Sequence, residues 1–119
     1  MYDQHTLVPA GTTAGGTSAA KFCGGAYQAV SFVAKVTAIG ATPAFTWKIQ
    51  GSTDGIEWFD LGYITDASDT IATATRSNIV AGTSQVSFLS NPVARRYEAF
   101  RAVTTDTNVT HGIDMFLLS

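Results

Sequence analysis

The chain has 119 residues, of which 45% are hydrophobic and 13% are charged, and its formal net charge is −2. That length fits a single domain with its own core, and the hydrophobic share excludes a chain that is disordered throughout. The basic residues form no face or stripe of the kind that nucleic-acid-binding proteins present, so we expect no nucleic-acid partner. The charged share is about half the usual one, which favours a surface partly covered by other chains over one covered only by Thr, Ser and Gly.

The N-terminal twenty residues divide into two pieces of different composition. In MYDQHTLVPA, a short apolar run is closed by Pro9, as in an edge strand or a docking arm. GTTAGGTSAA has the composition of a flexible linker. Two interpretations stay open: a frayed terminus, or an extended arm over residues 1–20 that adds to a neighbouring subunit. The arm residues expected to bind the partner are Tyr2, His5, Leu7 and Val8.

Two alternating segments follow, separated by a break. Residues Tyr27–Ile39 alternate with period two, and the same holds for Ala44–Gly51, which predicts two strands with one buried face each. The run Gly40–Pro43 between them predicts a loop, because proline lacks the N–H that a strand interior needs. The side chains predicted to point inward are Val30, Phe32, Ala34, Val36, Phe45, Trp47 and Ile49.

The next segment predicts a hairpin rich in aromatic residues. Asp54-Gly55 can supply the positive φ of a tight turn, and a third strand, Ile56–Tyr63, returns from it. Alternation puts Trp58 on one side and Phe59 on the other, so both sides of this strand are partly covered. Core packing, a subunit contact and a sugar-stacking platform all remain possible for these rings. The partner-binding candidates here are Trp58, Phe59 and Tyr63.

The remainder of the chain predicts further short strands. They cover Ile71–Thr75, Gln85–Leu89, Arg95–Thr104 and Val109–Leu118, with a turn at 106–108 before the last. The last strand places one row on a single face: Val109, His111, Ile113, Met115 and Leu117. The sequence therefore predicts an all-β protein: a single-domain antiparallel β-sandwich over residues 21–119, jelly-roll-like, with about seven or eight strands.

We find no arrangement of residues that favours catalysis. His111 is expected to be packed or hydrogen-bonded, and Cys23 to be a small apolar filler. Asp66 and Asp69 could ligate calcium, but aspartate is also an ordinary turn residue. No basic-then-apolar leader and no apolar run of membrane-spanning length is present, so we expect no membrane partner and synthesis in a cytosol. The expectation is a protein that is not an enzyme and has no cofactor or metal.

The hairpin and its flanks resemble a known group of proteins. The run FTWKIQGSTDGIEWFDLG, with FVAKVTAIGATPAFTWK before it and RRYEAFRAVTTDTNVTHGIDMFLL near the end, is similar to small structural proteins of tailed bacteriophages of the capsid decoration, or cement, type. The late strand departs from the group's cleaner alternation, and the N-terminal region does not match residue by residue.

The resemblance implies a β-sandwich that sits on an assembled shell. It implies a non-enzymatic virion protein, made in the host cytoplasm and located on the capsid surface, that bridges capsomers. Its partners would be the major capsid protein and copies of itself, commonly as a homotrimer. The alternative hypothesis is a carbohydrate-binding β-sandwich module of a phage tail or fibre, with Trp58, Phe59 or Tyr63 as the stacking surface.

Overall fold

The computed structural model describes residues 2–23, 27–61, 63–65, 71–72, 75–77, 84–90 and 97–118, and these form antiparallel strands without a helix. The strands are β1 (Tyr2–Thr12), β2 (Gly16–Thr17), β3 (Lys21–Phe22), β4 (Ala29–Ser52), β5 (Phe59–Asp60), β6 (Tyr63–Thr65), β7 (Ile71–Ala72), β8 (Thr75–Ser77), β9 (Ser84–Ser90) and β10 (Ala99–Leu118). The predicted all-β, antiparallel, single-domain fold is confirmed. The described residues contain ten strands instead of seven or eight, because the sheet margins consist of pieces of two or three residues.

Two long strands form the frame of the molecule. β4 has 24 residues and β10 has 20, and they pair along their whole length, from Ala29 opposite Leu118 to Ser52 opposite Ala99. A flat strand of that length would span roughly 80 Å. The longest dimension of the molecule is 42 Å. The two-stranded ribbon is therefore folded over on itself.

The ribbon bends at a point where the pairing of both strands is irregular. Thr107 pairs with Ala44 and Val109 with Ile39, which leaves Gly40–Pro43 facing Asn108 alone. Thr42 and Asn108 have left-handed φ values of 49° and 55°. The Asn108 side-chain amide donates to the Ala41 carbonyl at 2.5 Å, which fastens the bulge. A bulge of this kind bends a strand without ending it.

The strand ends predicted around this bend are therefore wrong. The predicted loop at Gly40–Pro43 is the bulge within β4, so that the two strands predicted on either side of it are one strand. The predicted turn at 106–108 likewise lies inside β10. Both irregularities were visible in the sequence, but they mark bends. Arg95 and Arg96, at the start of a predicted strand, lie outside the described residues.

The N-terminal segment follows β10 through the same bend. β1 pairs with its C-terminal half, from Tyr2 opposite Leu118, and then β2 and β3 pair with its N-terminal half. Gly11 lies at the crossing, with φ of +90°, a conformation that glycine adopts without steric cost. The segment predicted as an arm over 1–20 thus packs in the same sheet as the domain predicted over 21–119. The piece predicted to be a flexible linker contains β2.

The folded ribbon encloses one hydrophobic core between its two halves. Phe32 in the first half of β4 meets Phe100 in the first half of β10, edge to face, with ring centroids 5.4 Å apart. All the side chains predicted to point inward on β4 and in the last strand row are buried. The first half of β4 also pairs with β9, followed by β6 and β7, while β5 and β8 pair with its second half. This strand order is that of one sheet folded over on itself. The jelly-roll connectivity stays a prediction.

Candidate interaction surface

The loop at residues 52–57 is held by two short polar side chains. The Ser52 hydroxyl accepts the backbone N–H of Gly55 at 2.8 Å and that of Asp54 at 3.3 Å. The Asp54 carboxylate accepts the N–H groups of Ile56 and Glu57 at 2.8 and 2.9 Å. These bonds, chiefly the one from Glu57, lower the pKa of the Asp54 carboxyl. The loop is therefore an ordered platform, although it is exposed.

The loop closes the predicted hairpin with a wider connection than expected. Asp60 pairs with Gln50 and Phe59 with Gly51, so the hairpin is confirmed. Gly55 has the positive φ that the sequence predicted, 78°. The tight turn predicted at Asp54-Gly55 is wrong, because the side-chain bonds of Ser52 and Asp54 stabilise a longer loop.

Three large apolar side chains are exposed at this end of the sandwich. Phe22, Ile56 and Phe59 are 62%, 80% and 53% exposed, and we call them the apolar rim. Ala99 of β10 pairs with Phe22 of β3 on one side and with Ser52 of β4 on the other, so Phe22 lies near the loop that begins at Ser52. Its ring lies against Gly55, where an added Cβ would come within 2.9 Å. Exposed aromatic and aliphatic side chains grouped on an ordered end of a fold are typical of contact surfaces.

The outer face of the same half carries a different set of side chains. The Arg101 guanidinium carbon lies 4.2 Å from the centroid of the half-exposed Trp58 ring, a cation–π contact. Arg101 Nε donates to Gln50 at 2.8 Å, and the Gln50 amide donates to Asp60 at 2.9 Å. Lys48 completes the network with an ion pair to Asp60 at 3.2 Å. We call Trp58, Arg101, Gln50, Asp60 and Lys48 the Trp58 face.

The network orders these side chains more than it stabilises the fold. Lys48 and Asp60 are 29% and 50% exposed, and exposed ion pairs contribute about 0–1 kcal/mol. The hydrogen bond from Gln50 and the contacts with Lys48 lower the pKa of the Asp60 carboxyl, so it remains charged near neutral pH. The face thus carries fixed donors and acceptors beside an aromatic ring.

The residues predicted to bind a partner do not form one surface. Leu7 and Val8 are only 6% and 8% exposed and belong to the core of their own chain. His5 pairs with Met115 and is half-buried. The remaining four are Tyr2, Tyr63, Trp58 and Phe59. In the sheet, Tyr2 lies opposite Leu118 and Tyr63 lies opposite Ala72, while Trp58 and Phe59 are at the surface. The side chains of Tyr2 and Tyr63 lie outside the described part of the structure.

Trp58 and Phe59 are directed to different surfaces. Phe59 pairs with Gly51, which is buried against the Tyr97 ring, whereas Asp60 pairs with the outward-facing Gln50. The predicted placement of Phe59 and Leu61 on one side and Asp60 on the other is confirmed, with Leu61 in the core, but the strand here covers only Phe59–Asp60 instead of the predicted Ile56–Tyr63. Sequence reasoning missed Arg101, which is far away in the chain and has no local signal. The polar residues Lys48 and Gln50, which point away from the inward-facing Trp47 on the same strand, were the sequence signal that indicated this face.

The buried histidine is a structural element of the bend. His111 Nδ1 lies 2.5 Å from the Asp106 carboxylate, and neither side chain is exposed. The other Asp106 oxygen accepts the Val109 N–H at 3.0 Å, a donor next to the bulge. Phe45 packs on the imidazole with centroids 4.5 Å apart, and His111 Nε2 has no hydrogen-bond partner. This packed setting is the one predicted for His111.

Within the described ranges no three His, Cys, Asp or Glu side chains come together as a metal-binding group. Asp66 and Asp69, considered for calcium, lie outside those ranges. Burial, and secondarily the charge of Glu98, raises the pKa of the Cys23 thiol to about 11, which disfavours the nucleophilic thiolate. Nor does that part of the chain include a helix long and apolar enough to cross a bilayer.

Comparisons with known proteins identify the fold. No family model and no curated protein sequence matches the chain. Among solved structures, the SPBc2 prophage-derived protein YomS is 13% identical, with a TM-score of 0.71 over the whole of this chain and 94% of that one. The PBSX exported protein XepA is 12% identical, with a TM-score of 0.66; the match covers all of this chain but only 38% of XepA. At these identities the likeness shows a shared fold.

Proposed function

We propose that this protein is a non-enzymatic structural component of a bacteriophage particle that decorates the capsid and stabilises it by bridging capsomers. The observation that carries the proposal is the likeness of the fold, over the entire chain, to the prophage-derived YomS. The resemblance of the run FTWKIQGSTDGIEWFDLG to phage decoration proteins agrees with the same proposal. The proposed partners are the major capsid protein and further copies of this chain, as a homotrimer. The proposed location is the capsid surface, after synthesis in the host cytoplasm.

The apolar rim supports a function based on contacts. Ile56 is 80% exposed, although the loop that carries it is ordered by hydrogen bonds to Ser52 and Asp54. Burying apolar surface stabilises a complex by about 25 cal/mol per Å² before the costs of association. An ordered loop lowers those costs, since less conformational freedom is lost on binding.

The size and charge of the surface also agree with several neighbours. The chain exposes 6354 Å². A stable interface covers about 800 Å² on each partner, so three such contacts would cover nearly two-fifths of that surface. A surface with many covered regions requires few charged residues, and only 13% of this chain is charged.

The experiment combines particle composition with solution mass. The untagged protein is sought in purified particles of the phage that encodes it, and then added to capsids that lack it, with occupancy measured by quantitative mass spectrometry. Light scattering of the free protein gives its oligomeric state. We expect saturable occupancy and a trimer.

The variant that tests the apolar rim is Phe22→Ser combined with Ile56→Ser, and the matched control is Lys35→Ser, an exposed residue on the other half of β4. The double variant should lose occupancy at least tenfold, whereas the control should retain it. Absence from purified particles together with no binding to capsids would refute the proposal. A monomer that still binds capsids would refute only the trimer.

A further inference from the structure

We propose that the Trp58 face is a carbohydrate-binding site that holds one sugar ring of a glycan chain. This activity goes beyond assembly into a particle and does not depend on it. The inference rests on the chemistry of five side chains and on a shallow depression beside them.

The arrangement combines an aromatic ring with planar hydrogen-bonding groups. A pyranose has a face of C–H groups that packs on an aromatic ring and, at its edge, neighbouring hydroxyls that both donate and accept. Trp58 is the large ring. The Arg101 guanidinium lies over one of its faces, so a sugar would pack on the opposite face of this partly exposed ring, and Gln50 and Asp60 are planar groups linked to Arg101 by hydrogen bonds. Guanidinium, amide and carboxylate groups can each engage two adjacent hydroxyls.

The network leaves hydrogen-bonding capacity for a ligand. In the described structure Arg101 takes part through Nε, one of its five N–H groups, and Lys48 through a single contact. Each Asp60 oxygen accepts one hydrogen bond and can accept another. Because the side chains already restrain one another, a ligand would immobilise few additional rotamers.

A depression on the same outer face extends the site along the sheet. It has a volume of about 230 Å³ and is lined by Thr46, Trp47, Lys48, Val103 and Thr105. Lys48 belongs to both the depression and the network, so the two are continuous. Sites for drug-sized ligands have roughly 300–1,000 Å³. This smaller depression fits a single ring of a polymer better than a free small molecule enclosed in a pocket.

The test uses the full-length protein on an array of neutral, amino-sugar and uronic-acid glycans, with polyglutamate as a polyanion that contains no sugar. The strongest glycan is then titrated by isothermal titration calorimetry, a readout that does not depend on Trp58. We expect saturable binding to at least one glycan and none to polyglutamate. Trp58→Ala and Gln50→Ala should each weaken binding about tenfold or more, a change equivalent to about 1.4 kcal/mol. Trp58→Phe, which keeps a ring, should restore most of the affinity.

The matched control is Phe59→Ala, which removes the neighbouring exposed aromatic ring from the other side of the strand. It should change glycan affinity less than twofold. Should Trp58→Ala not fold, as judged by urea unfolding, Gln50→Ala and Trp58→Phe supply the comparison. No glycan bound at about 1 mM, equal binding to polyglutamate, or binding that requires Phe59 but neither Trp58 nor Gln50 would each overturn the proposal. None of these results depends on whether the protein occurs in a phage particle.

Discussion

The buried pair of Asp106 and His111 gives the sharpest prediction about the folded ribbon. Asp106→Ala removes two buried contacts at once: the acceptor for the Val109 N–H and the partner of His111 Nδ1. Each buried group left without a partner costs about 1–3 kcal/mol. His111 Nε2 already has no partner, so the whole imidazole would become unsatisfied. We expect a loss of about 3–5 kcal/mol, as for other broken buried pairs.

A conservative variant separates this explanation from a general effect of substitution. Asp106→Asn keeps an oxygen for Val109 and places an amide donor beside His111, whose other tautomer can accept it. It should therefore cost only about 1 kcal/mol. Asp114→Ala, a half-exposed aspartate on the outer side of the same strand, is the control and should cost less than about 0.5 kcal/mol.

The assay is equilibrium unfolding in urea, followed by far-UV circular dichroism and by tryptophan fluorescence, to which the buried Trp47 contributes. Domains of this size have stabilities of about 5–15 kcal/mol, so Asp106→Ala should remove a third or more of the total. The expected change is in the midpoint, with an unchanged slope. If the free energies of unfolding of Asp106→Ala and Asp106→Asn differ by less than about 0.5 kcal/mol, roughly the error of such measurements, the role given to the pair is refuted.

Three further predictions concern the bend, the first strand and the thiol. Asn108→Ala should destabilise by about 1–2 kcal/mol and Asn108→Gly by about 1 kcal/mol less, because glycine tolerates a φ of 55°; equal urea midpoints would contradict this. Leu7→Ala should cost about 2–5 kcal/mol, since Leu7 is in the core, whereas the exposed Gln4→Ala should cost less than 0.5 kcal/mol; a mobile arm would show no difference in unfolding. With its pKa raised to about 11, Cys23 should react with iodoacetamide at pH 8 about 100-fold more slowly in the folded protein than in urea. That raised pKa favours folding only while the thiol is protonated, so part of the stability present below pH 9 should be lost as the pH rises towards about 11. Cys23→Ala should reduce this loss of stability without removing the part due to Tyr27. Native and unfolded thiols that react equally fast, or a variant that loses as much stability at high pH as the original protein, would contradict the prediction.

Part of the candidate surface could be inferred from local sequence. The aromatic pair Trp58-Phe59 next to a turn marked this segment as a candidate contact surface, with core packing left open as an alternative, and both side chains are at least partly exposed. The partners that give each ring its setting could not be inferred. Arg101 reaches Trp58 only because β10 pairs with β4, and Phe22 reaches Gly55 only because β3 follows β10. Leu7 and Val8 were predicted to bind a neighbour because they are apolar; their own core buries them.

The direction of the side chains in each strand follows from local sequence. Strict alternation of apolar residues fixes which side of a strand is buried, whatever strand lies next to it, and the inward rows of β4 and of the second half of β10 are therefore those predicted. Where a strand continues and where it turns depends instead on long-range pairing. Glycine, proline and asparagine favour a turn and a bulge alike, and the choice at Gly40–Pro43 and Asn108 depends on pairing between segments distant in sequence. Folding the ribbon at those points buries both inward rows against each other, which neither row could achieve alone.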